Sequence, residues 1–255
     1  MKSLTAIAIP LVFIALLLAI WEGVCRLTGV PAYLLPPPSA IAASLAEGWP
    51  LLLSSAWNTL FTALTALVVA SLLASSLALL TALSPVIERA IQPVAVTLQV
   101  TPVIAVAPLV IIWAGLDHPE RAVVVLATIV AFFPIFSGAV TGLKAADPDL
   151  QRLFDLYGAS RWQKLLRLRL PSAVPFLLEG HKVAAGLAVI GAVIGEFVAG
   201  SGGAQGLAWR ILEAGNRLQT ARMFAALFVL AVMAALLHAL LQMAERRALV
   251  WWRGR

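Results

Sequence analysis

The sequence has little charge and a single cysteine. Charged side chains make up only 12% of the 255 residues, which is too few to cover the surface of a soluble domain of this length. Cys25 stands alone, so a disulfide within the chain is excluded. The composition instead suits a chain that is surrounded by lipid.

Catalytic and nucleotide-binding motifs are also missing. The sequence contains no G-x-x-x-x-G-K-[ST] loop, so the chain does not bind ATP in the P-loop manner. It has no paired Cys and His ligands, no H-E-x-x-H and no G-x-S-x-G, which makes a metal centre or a hydrolase site a poor interpretation. We therefore expect a protein that is not an enzyme and that needs no metal or cofactor.

Apolar residues are in excess. They account for 62% of the chain, and the mean hydropathy is +0.97, values typical of a polytopic membrane protein. The uncharged runs predict an all-α fold with six transmembrane helices in one domain over residues 1–255. The first span lies outside a core of about 59–244, and the six spans cover about residues 3–21, 59–83, 91–114, 122–143, 175–199 and 223–244.

Prolines and charges predict where these helices break. Ser39 is expected to cap a short amphipathic helix that ends at Glu47, and Glu88 with Arg89 to form a polar turn. A second polar turn is expected around Asp117, and a Gly/Ser-rich loop at 200–206. The third span should be kinked or locally unwound, because Pro102 and Pro108 free main-chain carbonyls inside it.

One segment, residues 147–171, is both charged and patterned, and we call it the elbow. Asp147 is a good N-cap and Pro148 suits the first helical position. Gly158 should end this first helix in a left-handed turn. The apolar stripe of the helix comprises Leu150, Leu153, Phe154 and Tyr157.

A second short helix should follow Gly158. Ser160 and Gln163 have the spacing of a capping box, and Pro171 is expected to close the segment. The elbow also holds four basic residues, Arg161, Lys164, Arg167 and Arg169. On physical grounds it could dock a protein, or it could only anchor the chain to anionic lipid, and these two readings stand about equal.

The distribution of positive charge predicts the orientation. Cytoplasmic segments of membrane proteins carry an excess of Lys and Arg. With six spans, thirteen of the 18 Lys and Arg residues lie on the side of the elbow and of both termini. We therefore expect the elbow and both termini to be cytoplasmic. The thirteen basic residues on that side are Lys2, Arg89, Lys144, Arg152, Arg161, Lys164, Arg167, Arg169, Lys182, Arg246, Arg247, Arg253 and Arg255.

The elbow resembles the second half of the EAA loop of ABC-importer permeases. The shared pattern is Gly158, nine residues, Leu168, one residue, then Leu170-Pro171. Where that family has Glu-Ala-Ala, this chain has Arg152-Leu153-Phe154. The resemblance implies a coupling helix that docks on a separate ATPase, through Arg152, Asp155, Gly158, Ala159, Ser160, Arg161, Leu168, Leu170 and Pro171.

Other segments are similar to permeases of the nitrate/sulfonate/taurine type and to their pyrimidine-precursor relatives. They are Leu35-Pro36-Pro37-Pro38-Ser39, Gln99 to Gly115, Ile194 to Phe197, and Glu213 to Leu227. The resemblance implies a type I importer of the bacterial inner membrane for a small anion or heterocycle. Its expected partners are a second permease copy, expected to be identical, two cytosolic ATP-binding subunits and an extracytoplasmic substrate-binding protein.

Small residues within the spans suggest positions where helices pack, and polar residues suggest positions on a translocation path for the solute. Ala184, Ala188 and Ala192 repeat every four residues, as do Gly191, Gly195 and Ala199; we expect them to serve packing within the bundle rather than a subunit seam. Candidate path residues are Gln99, Thr101, Pro102 and Glu196. Glu196 is expected either at the outer mouth of a path or in the headgroup layer.

An ion- or proton-coupled secondary carrier is the main alternative function. Such carriers usually hold ionisable residues deep in their spans and often have an internal repeat. Here the spans hold almost no such residues and no repeat is found. The sequence therefore favours the importer subunit.

Overall fold

The computed structural model describes residues 2–115, 118–200 and 205–253. Asp117 and residues 201–204 of the predicted loop lie outside the described residues. The all-α prediction is confirmed. The α-helices are α1 (Lys2–Thr28), α2 (Pro38–Leu83), α3 (Pro85–Val100), α4 (Val103–Ala114), α5 (Pro119–Lys144), α6 (Pro148–Leu156), α7 (Arg161–Lys164), α8 (Leu170–Ala199), α9 (Leu207–Asn216) and α10 (Thr220–Arg253).

The helix lengths agree with five or six membrane spans. Five of the described helices are long and apolar enough to cross a bilayer, and the pair α3 and α4 adds a sixth if it crosses as one broken span. The axes of α3 and α4 differ by 103°. The helix α1 continues beyond the predicted end of the first span, to Thr28.

The structure divides into two compact units. One comprises residues 1–57 and 205–231, and the other residues 58–204 and 232–255. In the first unit the rings of Trp21 and Phe224 lie 5.8 Å apart, and the Thr220 hydroxyl donates to the Tyr33 carbonyl at 2.6 Å. The second unit contains α5, the elbow and α8.

The prediction of a short helix from Ser39 to Glu47, followed by a separate span, is wrong. The helix α2 is continuous over 46 residues, about 69 Å at 1.5 Å per residue, with Pro50 inside it. A proline removes only one main-chain donor, whereas a break in apolar surroundings would leave several groups without partners. Ser39 lies in the first turn, where its N–H and hydroxyl donate to Glu22 at 3.0 and 2.8 Å.

The polar turn predicted at Glu88 and Arg89 is also helical. Ser84 caps α3, and both charged residues lie in the first turns of that helix. An acidic residue there is favoured because it faces the positive end of the helix dipole. Glu88 also forms an ion pair with Lys144 at the end of α5.

The predicted break in the third span is confirmed at Thr101 and Pro102. Thr101 has φ −70° and ψ 124°, the extended conformation that a following proline favours. Pro108 lies inside α4 without ending it. The break therefore depends on Pro102 and not on Pro108.

The small residues of the fifth span pack within the bundle, as predicted. A Cβ atom on Gly191 would lie 2.6 Å from the Ala127 Cα atom of α5, and one on Gly195 would lie 2.8 Å from the Val123 Cγ1 atom. At the other end of the pair, a Cβ atom on Gly142 of α5 would lie 2.8 Å from the Ala173 Cα atom. The two helices therefore meet backbone to backbone along their length.

We expect Gly191→Ala to lower the free energy of unfolding by about 2 kcal/mol, because the added methyl group overpacks the contact with Ala127. Gly186→Ala is the matched control on the same helix, since a Cβ atom there meets nothing within 4 Å. The measurement is the thermal unfolding of both variants in detergent. Equal stabilities would contradict the close-packing account.

Candidate functional site

The first helix of the elbow forms as the sequence predicts. The Asp147 carboxylate accepts from the Asp149 N–H at 2.7 Å, and Pro148 begins α6. No residue of α6 is buried, and the adjacent apolar side chains Leu156 and Tyr157 are 85% and 83% exposed. The described part of the chain therefore leaves the apolar surface of the elbow uncovered.

Gly158 forms the turn that ends α6. Its φ is +67°, and the N–H of Gly158 donates to Asp155 O at 3.0 Å while the N–H of Ala159 donates to Phe154 O at 2.9 Å. This pair of bonds is the Schellman motif, which satisfies the last carbonyls of a helix. The turn is thus fixed by the backbone itself.

The start of the second helix is confirmed as well. The N–H of Gln163 donates to the Ser160 hydroxyl at 3.3 Å, and the N–H of Ser160 donates to the Gln163 side chain at 2.8 Å. An ion pair between Lys164 and Asp155 joins the two helices across the glycine. The groove between them has a volume of about 270 Å³ and a mixed apolar and polar lining of Leu153, Phe154, Tyr157, Ala159, Gln163 and Arg167.

The prediction that Pro171 closes the second helix is wrong, and the helix of the fifth span begins before the predicted residue 175. A π-helical segment (Leu165–Arg169) follows α7 and leads directly into α8. The N–H of Leu170 donates to Leu165 O, one residue further back than in an α-helix. This wider turn lies directly before Pro171, whose missing N–H could not continue the α-helical pattern.

The predicted coupling residues therefore lie in two places. Six of them lie on the outer elbow, from α6 to the start of α7: Arg152, Asp155, Gly158, Ala159, Ser160 and Arg161. The other three lie in the root, which we define as residues 165–175. Leu168 is buried there, and Leu170 and Pro171 begin α8. Their part in coupling stays a prediction.

Two contacts of the elbow have no signal in the sequence. Arg169 donates to the carbonyl of Ala82 at 3.2 Å, near the end of α2. The side-chain amide of Gln151 donates to Ala146 O at 2.9 Å. The sequence marks Arg169 only as a positive charge, because no periodicity relates it to a residue 87 positions away.

The candidate path residues Gln99, Thr101 and Pro102 lie together at the break between α3 and α4. Gln99 is exposed, and the Thr101 hydroxyl donates to Thr97 O at 2.7 Å. A cavity of about 400 Å³ in the same unit does not include these three residues. Its polar lining is Thr81, Glu88, Gln92, Ser137, Thr141 and Lys144.

Glu196 is almost fully buried in the structure, at 2% exposed. Its predicted position, at the outer mouth of a path or in the headgroup layer, stays a prediction. The Thr59 hydroxyl of α2 donates to the Glu196 carboxylate at 2.8 Å. A buried carboxylate needs such hydrogen bonds, and a sequence cannot show which helix supplies them.

The fold and this geometry define a polytopic α-helical membrane protein with an exposed amphipathic elbow between two tightly packed helices. The family described as binding-protein-dependent transport system inner membrane component matches residues 66–250. The chain belongs to this family. It is the inner-membrane, multi-pass permease component of a binding-protein-dependent ABC importer, which implies a separate ATPase and a binding protein.

Several curated proteins are similar over almost the whole chain. The riboflavin transport system permease protein RibX of Chloroflexus aurantiacus is 36% identical, over 96% of this chain and 90% of its own. The formylaminopyrimidine transport permease protein ThiX of Halalkalibacterium halodurans is 33% identical, over 95% of each. The taurine transport system permease protein TauC of Escherichia coli is 29% identical, over 93% and 87%.

A solved structure supports the fold. The crystal structure of an amino acid ABC transporter with histidines matches with a TM-score of 0.66, at 19% identity, over 80% of this chain and 97% of its own. At this identity the likeness concerns the fold alone. The helix arrangement is therefore that of a known ABC transporter chain.

We expect Gly158→Val to distort the elbow while leaving the helix bundle in the membrane. A Cβ atom at Gly158 meets nothing within 4 Å, so the cost is backbone strain at positive φ, about 1–3 kcal/mol. Gly158→Asn is the control, because Asn tolerates this conformation. The measurements are hydrogen exchange of residues 156–164 and the amount of chain in the membrane; unchanged exchange in the Val variant would contradict the account.

Proposed function

We propose that the elbow is the surface on which a separate cytosolic ATPase docks and through which ATP closure drives transport. The observation that carries the proposal is the exposed apolar surface of a rigidly capped turn, with Leu156 and Tyr157 uncovered. A lipid anchor needs only an amphipathic face. The Schellman turn, the capping box and the groove between α6 and α7 supply a defined shape, which suits a protein partner better.

The same proposal fixes the orientation. The ATPase is cytosolic, so the elbow and both termini are placed in the cytoplasm. The excess of Lys and Arg on that side, thirteen of 18 in the six-span arrangement, supports this placement. The loop between α8 and α10 would then face the binding protein outside.

The proposed assembly contains two identical copies of this chain, two ATPase subunits and one binding protein. In it, residues 1–255 work as one permease domain. The proposed solute is a small heterocycle, with a small sulfonate as the second choice. Supporting this order, the riboflavin and formylaminopyrimidine permeases are 36% and 33% identical, whereas the taurine permease is 29% identical.

Transport proceeds in this proposal by alternating access. Movement of the elbow turns α5 and α8 together, because their backbones are in contact. Gln99, Thr101 and Pro102 border the path at the broken span. Glu196 becomes part of the path when α2 and α8 separate and its contact with Thr59 opens.

The docking proposal predicts that Leu156→Asp combined with Tyr157→Asp abolishes co-purification of the ATPase. Two carboxylates would have to be buried without partners at the centre of the interface. Leu218→Asp is the control, because Leu218 is 69% exposed and Asp tolerates its positive φ of 55°. Retention of the ATPase by the double variant, with normal membrane levels, would refute the proposal.

The path proposal predicts that Glu196→Gln lowers uptake several-fold while the membrane level stays unchanged. Gln keeps an oxygen that can accept from Thr59 at 2.8 Å but carries no charge. Thr59→Val is the companion variant, which keeps the charge and removes the donor. Uptake and the amount of chain in the membrane are measured together. If both fall by the same factor in the Gln variant, Glu196 serves folding rather than the path.

A further inference from the structure

A carbonyl at the root of the elbow lacks its helical donor. In an α-helix, the C=O of Pro171 would accept from the N–H of residue 175. That residue is Pro175, which lies inside α8 and has no N–H. The indole N–H of Trp252, near the end of α10, donates to Pro171 O at 3.1 Å instead.

This carbonyl lies at a position where the bond affects more than the hydrogen bonding of one turn. Pro171 is the second residue after the π-helical segment, so it lies where the elbow joins α8. Two residues further on, Ala173 contacts Gly142 of α5, the helix that leads into the elbow. A carbonyl without its helical partner is also a place where a helix bends.

A second contact holds α10 along α8. Lys182 and Glu245 form an ion pair at 3.2 Å, with Lys182 also paired to Glu179. The Lys182–Glu245 ion pair and the Trp252 hydrogen bond therefore connect the later part of α10 to α8 at two positions along the helices. The helix α10 therefore lies beside the root and restrains it. We call this contact of α10 with α8 the brace.

We propose that Trp252 is a positioning residue, which fixes the direction of the elbow by supplying the donor that Pro175 lacks. The proposal rests on the proposed coupling function only for its consequence in transport. The brace itself is a property of this chain. The bond restrains α8 next to Pro175, and with it the direction in which the outer elbow is presented.

The test is a cycle of two substitutions in the full chain, in nanodiscs and in complex with its ATPase. Trp252→Phe keeps an aromatic ring and removes the donor. Pro175→Ala restores an N–H that can donate to Pro171 O within the helix. Trp57→Phe, at a residue that is 66% exposed on α2, controls for the loss of a tryptophan elsewhere. The readouts are hydrogen exchange of residues 161–175 in the permease alone and solute uptake per ATP hydrolysed in the complex.

We expect Trp252→Phe to raise exchange in the root about fivefold, the effect of losing one hydrogen bond, and to lower uptake per ATP by a similar factor. In the Pro175→Ala background the same substitution should change both readouts by less than about twofold. Unchanged exchange in Trp252→Phe would overturn the brace. If Trp252→Phe changes both readouts equally with and without Pro175→Ala, the hydrogen bond to Pro171 O is not the cause of the effect.

The two proposals fail in different ways. If the wild-type chain does not bind an ATPase, the proposed function fails, while the exchange cycle still decides the brace. If the wild-type complex couples ATP to uptake and the exchange cycle gives no rescue, only the brace fails. A matching rescue of exchange and of uptake per ATP supports both.

Discussion

The contact between α5 and α8 is the constraint on which the elbow depends. The two helices meet at Gly142, Gly191 and Gly195, where any added side-chain atom would lie within 3 Å of the neighbour. In lipid, such close approach replaces the hydrophobic force that drives association in water. Because α5 leads into the elbow and α8 leads out of it, this contact fixes the separation of the two ends of the elbow.

The outer elbow and its root are built differently. In the outer part, the Asp147 cap, the Schellman turn at Gly158 and the Ser160 capping box satisfy the ends of both short helices. The apolar side chains are thereby left free for a partner. In the root, the π-helical segment and two prolines interrupt the α-helical hydrogen bonds, and the Trp252 side chain of α10 supplies a replacement donor to Pro171 O. The structure thus joins the proposed docking surface to a root that long-range contacts hold in place.

Local features could be predicted from the sequence because near neighbours decide them. The caps at Asp147 and Ser160, the turn at Gly158 and the break at Pro102 all depend on residues within a few positions. Pro50 and Pro171 misled the prediction, because a long helix in an apolar environment tolerates one missing donor better than a break. The partners of Glu196 and Arg169 could not be predicted, since Thr59 and Ala82 are brought to them only by the packed fold. The family could be predicted because its motif lies within one short segment.

The central claim is that a cytosolic ATPase covers the outer elbow. Thiol labelling of a Tyr157→Cys variant tests it most directly, because the native Cys25 is buried and gives a low background. A membrane-impermeant maleimide should label the variant in inside-out vesicles that lack the ATPase, and labelling should fall when the ATPase is bound. Labelling from the outer face of the membrane, or labelling that the bound ATPase leaves unchanged, would contradict the account.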